Sequence, residues 1–294
     1  MEDNKKYQIK AYAKINLGLD VLGRLPNGYH QVKMVMQTVD IWDVLSFEKV
    51  DVGITLTTDA GELSTGDDNL ICRAVRLLQE EYGFMGGVRI HLEKHIPIAA
   101  GMAGGSADAA ATLKGINALY ELGASQERLQ ELGVRIGADV PYCVLGGTAL
   151  AEGIGERLTP LPDAPQCTLL IVKPKQGIST KEVYTELDAL TSYQHPDIDG
   201  MIAAIRAGDV AGVIARRGNV LESVTVCKCP AIAGIKERMD ACGALGSLMS
   251  GSGPTVFGFF TSEEAAEAAR EQLLREKSLD IQQSFVTQFA RPFV

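Results

Sequence analysis

The chain has 294 residues, 46% of them hydrophobic, enough for one large domain or two intimate ones, with no disordered arm. A formal charge of −9 gives no general footprint for nucleic acid or an anionic membrane, although it leaves room for a local basic pocket that holds a phosphorylated metabolite. Six cysteines (72, 143, 167, 227, 229 and 242) and four scattered histidines show no zinc-type spacing, so free, mostly buried thiols are expected.

The polar start Met1–Lys6 lacks the apolar core of a signal peptide, and no apolar run reaches membrane-spanning length. A cytoplasmic location is therefore expected, with neither a membrane nor a nucleic acid as partner. Alternation of Ile9, Ala11, Ala13, Ile15, Leu17, Leu19 and Val21 with polar residues predicts a half-buried strand or strand pair. The turn Pro26-Asn27-Gly28 comes next, then an apolar stretch from Val32 to Val39. Leu45–Phe47 and Gly53–Thr57 read as further strands. Asp67-Asp68-Asn69 caps a predicted helix over Leu70–Tyr82.

Val88–Leu92 is a short strand, and a helix is expected from about Ser106 to Leu122, its close-set alanines suited to tight packing. A short helix over Gln126–Val134 leads through Ile136–Pro141 into an apolar, strand-like run around Tyr142–Leu150. Pro160, Pro162 and Pro165 mark a boundary. Beyond it, strands are predicted at Thr168–Val172, Ser247–Met249, Thr255–Phe260 and Gln283–Phe289. Helices are predicted at Thr180–Leu190, Asp199–Arg206, Val210–Arg216, Ile232–Cys242 and Ser262–Glu276. Strands and helices mix without regular βαβ spacing, which indicates an α+β fold.

Two glycine-dense, nearly uncharged stretches stand out: Pro97–Ala110 and Ser250–Thr255. Neither is a Walker A sequence or a clean G-x-G-x-x-G. In the first, Gly101, Gly104 and Gly105 permit close backbone approach just before a helix, whose unpaired first-turn amides favour a phosphate. Ser106 adds a hydroxyl for phosphate or for a hydrated Mg²⁺. The same residues also suit a tight loop beside a closely packed helix, and Ser250–Thr255 also suits a hairpin turn. Two such stretches far apart in sequence favour one ligand clamped from two sides. Lys14 and Asn16 share the polar face of the first strand, and Asp139 lies in a turn between glycine and proline. Lys14 beside Asp139 would orient a substrate hydroxyl; a structural ion pair or two solvated ends is the alternative.

At these residues the chain resembles the GHMP kinase superfamily, over nearly its whole length. The resemblance rests on Ala13-Lys14-Ile15-Asn16-Leu17-Gly18-Leu19 with Gly28-Tyr29-His30, on Pro97–Ala110, on Ile136–Pro141 and on Gly251-Ser252-Gly253-Pro254-Thr255. Within the superfamily it is sharpest for the branch acting on 4-diphosphocytidyl-2-C-methyl-D-erythritol. The resemblance implies transfer of the ATP γ-phosphate to the 2-hydroxyl of that cytidine-containing alcohol, in non-mevalonate isoprenoid biosynthesis. It also implies a two-domain fold: residues 1–158 like the second domain of ribosomal protein S5 and carrying the phosphate loop, and residues 159–294 forming the C-terminal GHMP domain.

Carried over by position, Asp139 is the base or hydroxyl-orienting carboxylate and Lys14 its cationic partner. Asn16 and His30 meet the substrate, while Tyr29 and Tyr184 stack on cytosine or, alternatively, pack the structure. Asn69, Leu70, Lys94, Pro97, Gly101, Ala103, Gly104, Gly105, Ser106, Gly251, Ser252 and Gly253 fall on the ATP side, and Mg²⁺ bridges phosphate oxygens. Relatives carry Gly-Leu-Gly-Gly-Gly-Ser-Ser where this chain has Gly101–Ala107. Ala103 restricts the backbone there and Ala107 removes a hydroxyl. Competing readings are a GHMP kinase for a mevalonate derivative or homoserine, and a non-catalytic nucleotide sensor. Monomer and weak homodimer both remain open.

Overall fold

The computed structural model describes residues 7–290; Met1–Lys6, read above as a polar start, lies outside them. Alternation carries the first two strands further than their cores suggest. Strand β1 runs Tyr7–Arg24, and the segments expected as two strands after it form one, β2, over His30–Val50. The middle of β1 is not half-buried. Lys14, Asn16 and Asp20 are as enclosed as Ile15, Leu17 and Leu19, so both faces of the strand are covered there.

The chain divides into two compact units built from interleaved segments. One takes residues through Ala13, Ile41–Ile98 and Ala103–Gly146; the other takes Lys14–Asp40, Ala99–Met102 and Gly147 onward. Strands β1 and β2 thus contribute to both.

In the first unit, β3 (Ile54–Thr58) lies parallel to β4 (Gly87–Glu93), which pairs antiparallel with Val44–Val50 of β2. Helix α1 (Leu70–Tyr82) begins where Asn69 Oδ1 accepts the Ile71 N–H at 2.9 Å, and ends at left-handed Gly83. Helix α2 (Gly104–Leu119) starts two residues earlier and ends three earlier than the sequence pattern suggests. Its buried alanines and Gly115 bring it close to the sheet, since a Cβ on Gly115 would sit 2.6 Å from the Phe47 ring. Helix α3 spans Gln126–Val134 as predicted. The strand-like run at Tyr142–Leu150 is instead helix α4 (Val140–Leu145), followed by β5 (Thr148–Gly153). Pro141 in the first turn pre-sets a helical φ, and Gly146 and Gly147, both at positive φ, break the chain between the two elements.

In the second unit, β5 pairs antiparallel with Val32–Gln37 of β2 and with β6 (Arg157–Pro160), and β8 (Gly218–Asn219) pairs parallel with Gly18–Leu19 of β1. A second sheet has the order β11-β7-β10-β9, from Ile281–Gln288, Thr168–Pro174, Val256–Phe260 and Gly246–Met249, all antiparallel. Helices α5 (Thr180–Leu187), α6 (Ile198–Ala207), α7 (Val210–Ala215), α9 (Ala231–Ala241) and α10 (Glu263–Arg275) fall where predicted, with shifted ends. Helix α8 (Glu222–Lys228) and strands β6 and β8 were not anticipated. The class is α+β. All six cysteines are free, but only Cys72 and Cys229 are buried and Cys227 is exposed, a more open set than expected. Among the described residues no helix is long and apolar enough to cross a membrane.

Candidate active site

The glycine-dense stretch before α2 has a backbone of alternating hand. Ala99, Gly101 and Ala103 all have positive φ, at 51°, 70° and 57°, separated by residues of ordinary φ. Alternation of this kind turns successive N–H groups toward one side, making a concavity suited to an anion. Ala103 is the N-cap of α2 and makes no side-chain capping bond, so the first-turn amides rely on no side chain of that residue. An alanine in this left-handed conformation costs about 1–2 kcal/mol that glycine would not.

Beneath that first turn lies a buried cluster of charged side chains. Lys94 Nζ hydrogen-bonds the Asp43 carboxylate and stands 3.1 Å from Asp108 Oδ2, with the three side chains no more than 5% exposed. Asp43 Oδ1 also accepts the His95 and Ile96 N–H groups at 2.6 and 2.8 Å. A Cβ on Gly104 would come within 2.9 Å of Lys94 Nζ, so glycine there lets the ammonium sit directly against the helix start. Burial pushes the Asp108 carboxyl up to about 8; the Lys94 charge opposes this and Asp43 adds to it. Asp108 Oδ1 is buried without a hydrogen-bond partner. Burial thus favours the neutral form of Asp108 beside the Lys94–Asp43 contact.

Other sequence candidates gather in the same unit. Pro97 is buried, and Leu70 Cδ1 lies 3.7 Å from where a Gly105 Cβ would be. The Asn69 side chain is occupied in capping α1 and in donating to Ser64 O at 2.7 Å. Asp139, half-buried, is the N-cap residue of α4 and makes no capping bond with its side chain. Its turn lies beside the start of α2, for a Cβ on Gly137 would be 3.9 Å from Ser106 Oγ.

In the second unit, the two glycine-dense stretches meet across 149 positions of chain. Ser250 Oγ donates to Gly101 O at 3.0 Å, and a Cβ on Gly101 would fall 2.2 Å from Ser250 O. Asn219 Nδ2 holds this turn by donating to Met249 O and Gly251 O at 2.9 and 2.8 Å, and Ser252 Oγ pairs with Thr180 Oγ1 at 2.8 Å. Gly251 and Gly253 have φ of 56° and 85°. The turn links β9 and β10, so it is a hairpin turn as well as the partner of the first stretch. Lys14 donates its N–H to Met102 O at 3.1 Å and its ammonium to Asn16 Oδ1 at 2.8 Å, while Asn16 Nδ2 faces Met34 Sδ.

The base-recognition candidates share this second unit. The His30 ring stacks on Tyr184 with centroids 4.6 Å apart, and its Nε2 is 2.7 Å from Asp188 Oδ1. Arg24 reaches the other Asp188 oxygen at 3.4 Å. Tyr29 stands 58% exposed on the turn before β2. The aromatic partner of Tyr184 is thus His30, which sequence spacing could not foretell. Sequence reasoning also missed Asp43, Asp108 and Asp188. The only local hint was an aspartate inside an alanine run, at Asp108.

Residues 69–147 match the model for the GHMP kinases N terminal domain and residues 201–278 that for GHMP kinases C terminal. A 4-diphosphocytidyl-2-C-methyl-D-erythritol kinase of Lachnospira eligens is 51% identical, covering 97% of this chain and 99% of its own. The chain belongs to this kinase family. A second member, from Lachnoclostridium phytofermentans, is 52% identical over 89% of the chain and 90% of its own. Among solved structures, a 4-(cytidine 5'-diphospho)-2C-methyl-D-erythritol kinase superposes with a TM-score of 0.82 at 32% identity, covering 97% of this chain and 100% of its own. A homoserine kinase from Cytophaga hutchinsonii reaches a TM-score of 0.77 at 21% identity, covering 99% and 96%, and shares the fold alone. Within the 4-diphosphocytidyl-2-C-methyl-D-erythritol kinase family, therefore, this chain is an α+β GHMP kinase.

Proposed function

We infer that the chain transfers the γ-phosphate of ATP to the 2-hydroxyl of 4-diphosphocytidyl-2-C-methyl-D-erythritol, in non-mevalonate isoprenoid biosynthesis. The observation that carries this is the 51% identity, over 97% of the chain, to a kinase named for that substrate. The geometry is consistent with it. Phosphoryl transfer asks a protein mainly for alignment and for compensation of charge on the phosphate oxygens. Here the alternating backbone of residues 99–103 and the first-turn amides of α2 are offered to the terminal phosphates.

In this reading Gly101, Ala103, Gly104, Gly105 and Ser106 hold the triphosphate, and Gly251, Ser252 and Gly253 shape the same stretch through the Ser250–Gly101 contact. Asp139 orients the acceptor hydroxyl, and Lys14, held by Asn16, supplies positive charge for the reaction. Mg²⁺ bound with the nucleotide would neutralise phosphate oxygens, and the Ser106 hydroxyl would be the contact for its hydration shell. Asn69, Leu70 and Pro97 shape the nucleotide side, while Lys94 supports the loop from below rather than reaching out. His30, Tyr29 and Tyr184 attend to the cytosine. Residues 1–158 and 159–294 are the proposed domain division. The cytoplasm is the proposed location.

The test compares product formation from ATP with three alcohols: the cytidine-linked one, mevalonate and homoserine. Phosphorylation of the first alone is expected. Transfer to either of the others in preference would reassign the substrate, and ATP binding without transfer to any would make the chain a sensor.

A further inference from the structure

His30 is gripped twice by one short helix. Tyr184, within α5, covers a face of the imidazole, and Asp188, the C-cap residue of α5, takes its edge. The two sit one helical turn apart, with Asp188 N–H donating to Tyr184 O at 3.1 Å, so they act on the ring as a unit. The His30 side chain is 10% exposed and the Asp188 side chain 31%, so the contact between them is partly shielded from water. Arg24 lies 3.4 Å from the outer Asp188 oxygen.

A carboxylate can only accept a hydrogen bond, so Nε2, at 2.7 Å, must donate. In the neutral ring the proton is then fixed on Nε2, and Nδ1 presents a lone pair. Among the described residues Nδ1 makes no hydrogen bond. An acceptor held in one place distinguishes pyrimidines, because cytosine offers an exocyclic amino group where uracil offers a carbonyl oxygen. Against the carbonyl, two acceptors would face each other with no proton between them.

We propose that Asp188 is a positioning residue that locks the His30 tautomer, and that this lock makes the chain select a cytosine-bearing alcohol over its uracil counterpart. The proposal rests on the kinase reading above for its substrate. It differs from that reading in assigning selectivity to a carboxylate that need not touch the base. The alternative is that Asp188 merely anchors α5, in which case its removal would lower stability and leave base choice alone.

The experiment measures kcat and KM for the cytidine-linked alcohol and for its uridine-linked analogue, in the full chain and in Asp188→Ala and Asp188→Asn. In the unaltered chain the cytidine compound is expected to be preferred at least about 30-fold in kcat/KM. Asp188→Ala should cut that preference at least about 10-fold, chiefly through KM for the alcohol, with KM for ATP unmoved. Asp188→Asn keeps an acceptor and should recover part of it. A preference unchanged within about twofold in Asp188→Ala overturns the proposal, whatever happens to its melting temperature. Nitrogen NMR of the His30 ring gives a second readout that needs no turnover: a protonated Nε2 and bare Nδ1 are expected, becoming a mixture in Asp188→Ala, and a protonated Nδ1 in the unaltered chain also overturns it. Failure of the kinase reading looks different, as an unaltered chain that phosphorylates neither alcohol.

Discussion

Asp108 holds a carboxyl where neither water nor a full complement of hydrogen bonds can stabilise its charge. The cost falls on the ionised form, which pushes the carboxyl up to about 8 in the folded chain, against the usual 3.8. The folded state accordingly binds more protons than the unfolded state across that interval. The stabilisation Asp108 provides is complete below about pH 3.8 and is lost as pH rises toward 8. Asp108→Asn keeps the shape and cannot ionise. The melting temperature of the unaltered chain should therefore fall relative to that of Asp108→Asn between pH 5 and about 8.5, as read by calorimetry at matched ionic strength; parallel curves would show that the carboxyl is ionised throughout. Asp139, half-buried at the N-cap position of α4, is the residue proposed to orient the acceptor hydroxyl. Asp139→Asn should slow product formation at least about 100-fold and leave the dissociation constant for ATP within about threefold. Turnover close to normal would remove Asp139 from the mechanism.

Elements with strong local signals were legible, and those without were not. Helix α1 is marked at both ends, by Asn69 and Gly83, and its interior keeps a helical period, so its limits follow from composition alone. Removing the cap in Asn69→Ala should lower stability by about 1 kcal/mol, seen as a shift in urea midpoint with an unchanged m-value. Helix α4 misled because its six residues are apolar enough to fit either period, and its capping position is occupied by Asp139, which does not cap. The stretch before α2 was legible as glycine-rich, but its alternating hand was not, since alanines at 99 and 103 adopt a conformation they ordinarily avoid. Gly101 has no such latitude. In Gly101→Ala the new methyl would combine an unfavourable φ of 70° with a carbonyl oxygen 2.2 Å away, so the stretch must separate from Ser250. KM for ATP should rise at least about tenfold with a smaller effect on KM for the alcohol; equal changes in both would mean that the stretch serves the fold rather than the nucleotide.

At the scale of the whole molecule, sequence reading recovered the motifs and missed the interleaving. Glycine density is visible along the chain, whereas the Asp43–Lys94–Asp108 cluster and the Gly101–Ser250 contact join residues whose separation no local pattern reports. The prolines at 160, 162 and 165 mark a boundary in the sequence. The unit that begins again at Gly147 also contains Lys14–Asp40 and Ala99–Met102, an interleaving that no proline pattern reports. Several elements after residue 158 lean on those earlier segments. Strand β8 pairs with Gly18–Leu19, and Ile198 and Met201 pack so closely on Gly18 that a Cβ there would lie 2.7 Å from Ile198 Cδ1. Asp199 pairs with Lys33, His195 with Asp20, and the Ala290 N–H donates to Thr38 O at 2.9 Å. A fragment of residues 159–294 keeps every strand of the β11-β7-β10-β9 sheet but exposes the apolar side chains of α6 that β1 covers. Such a fragment should retain far-UV helical signal, bind a hydrophobic dye, and melt without the cooperative transition of the full chain. A dispersed amide spectrum and a sharp melt from the isolated fragment would show that the earlier segments decorate this unit rather than complete it.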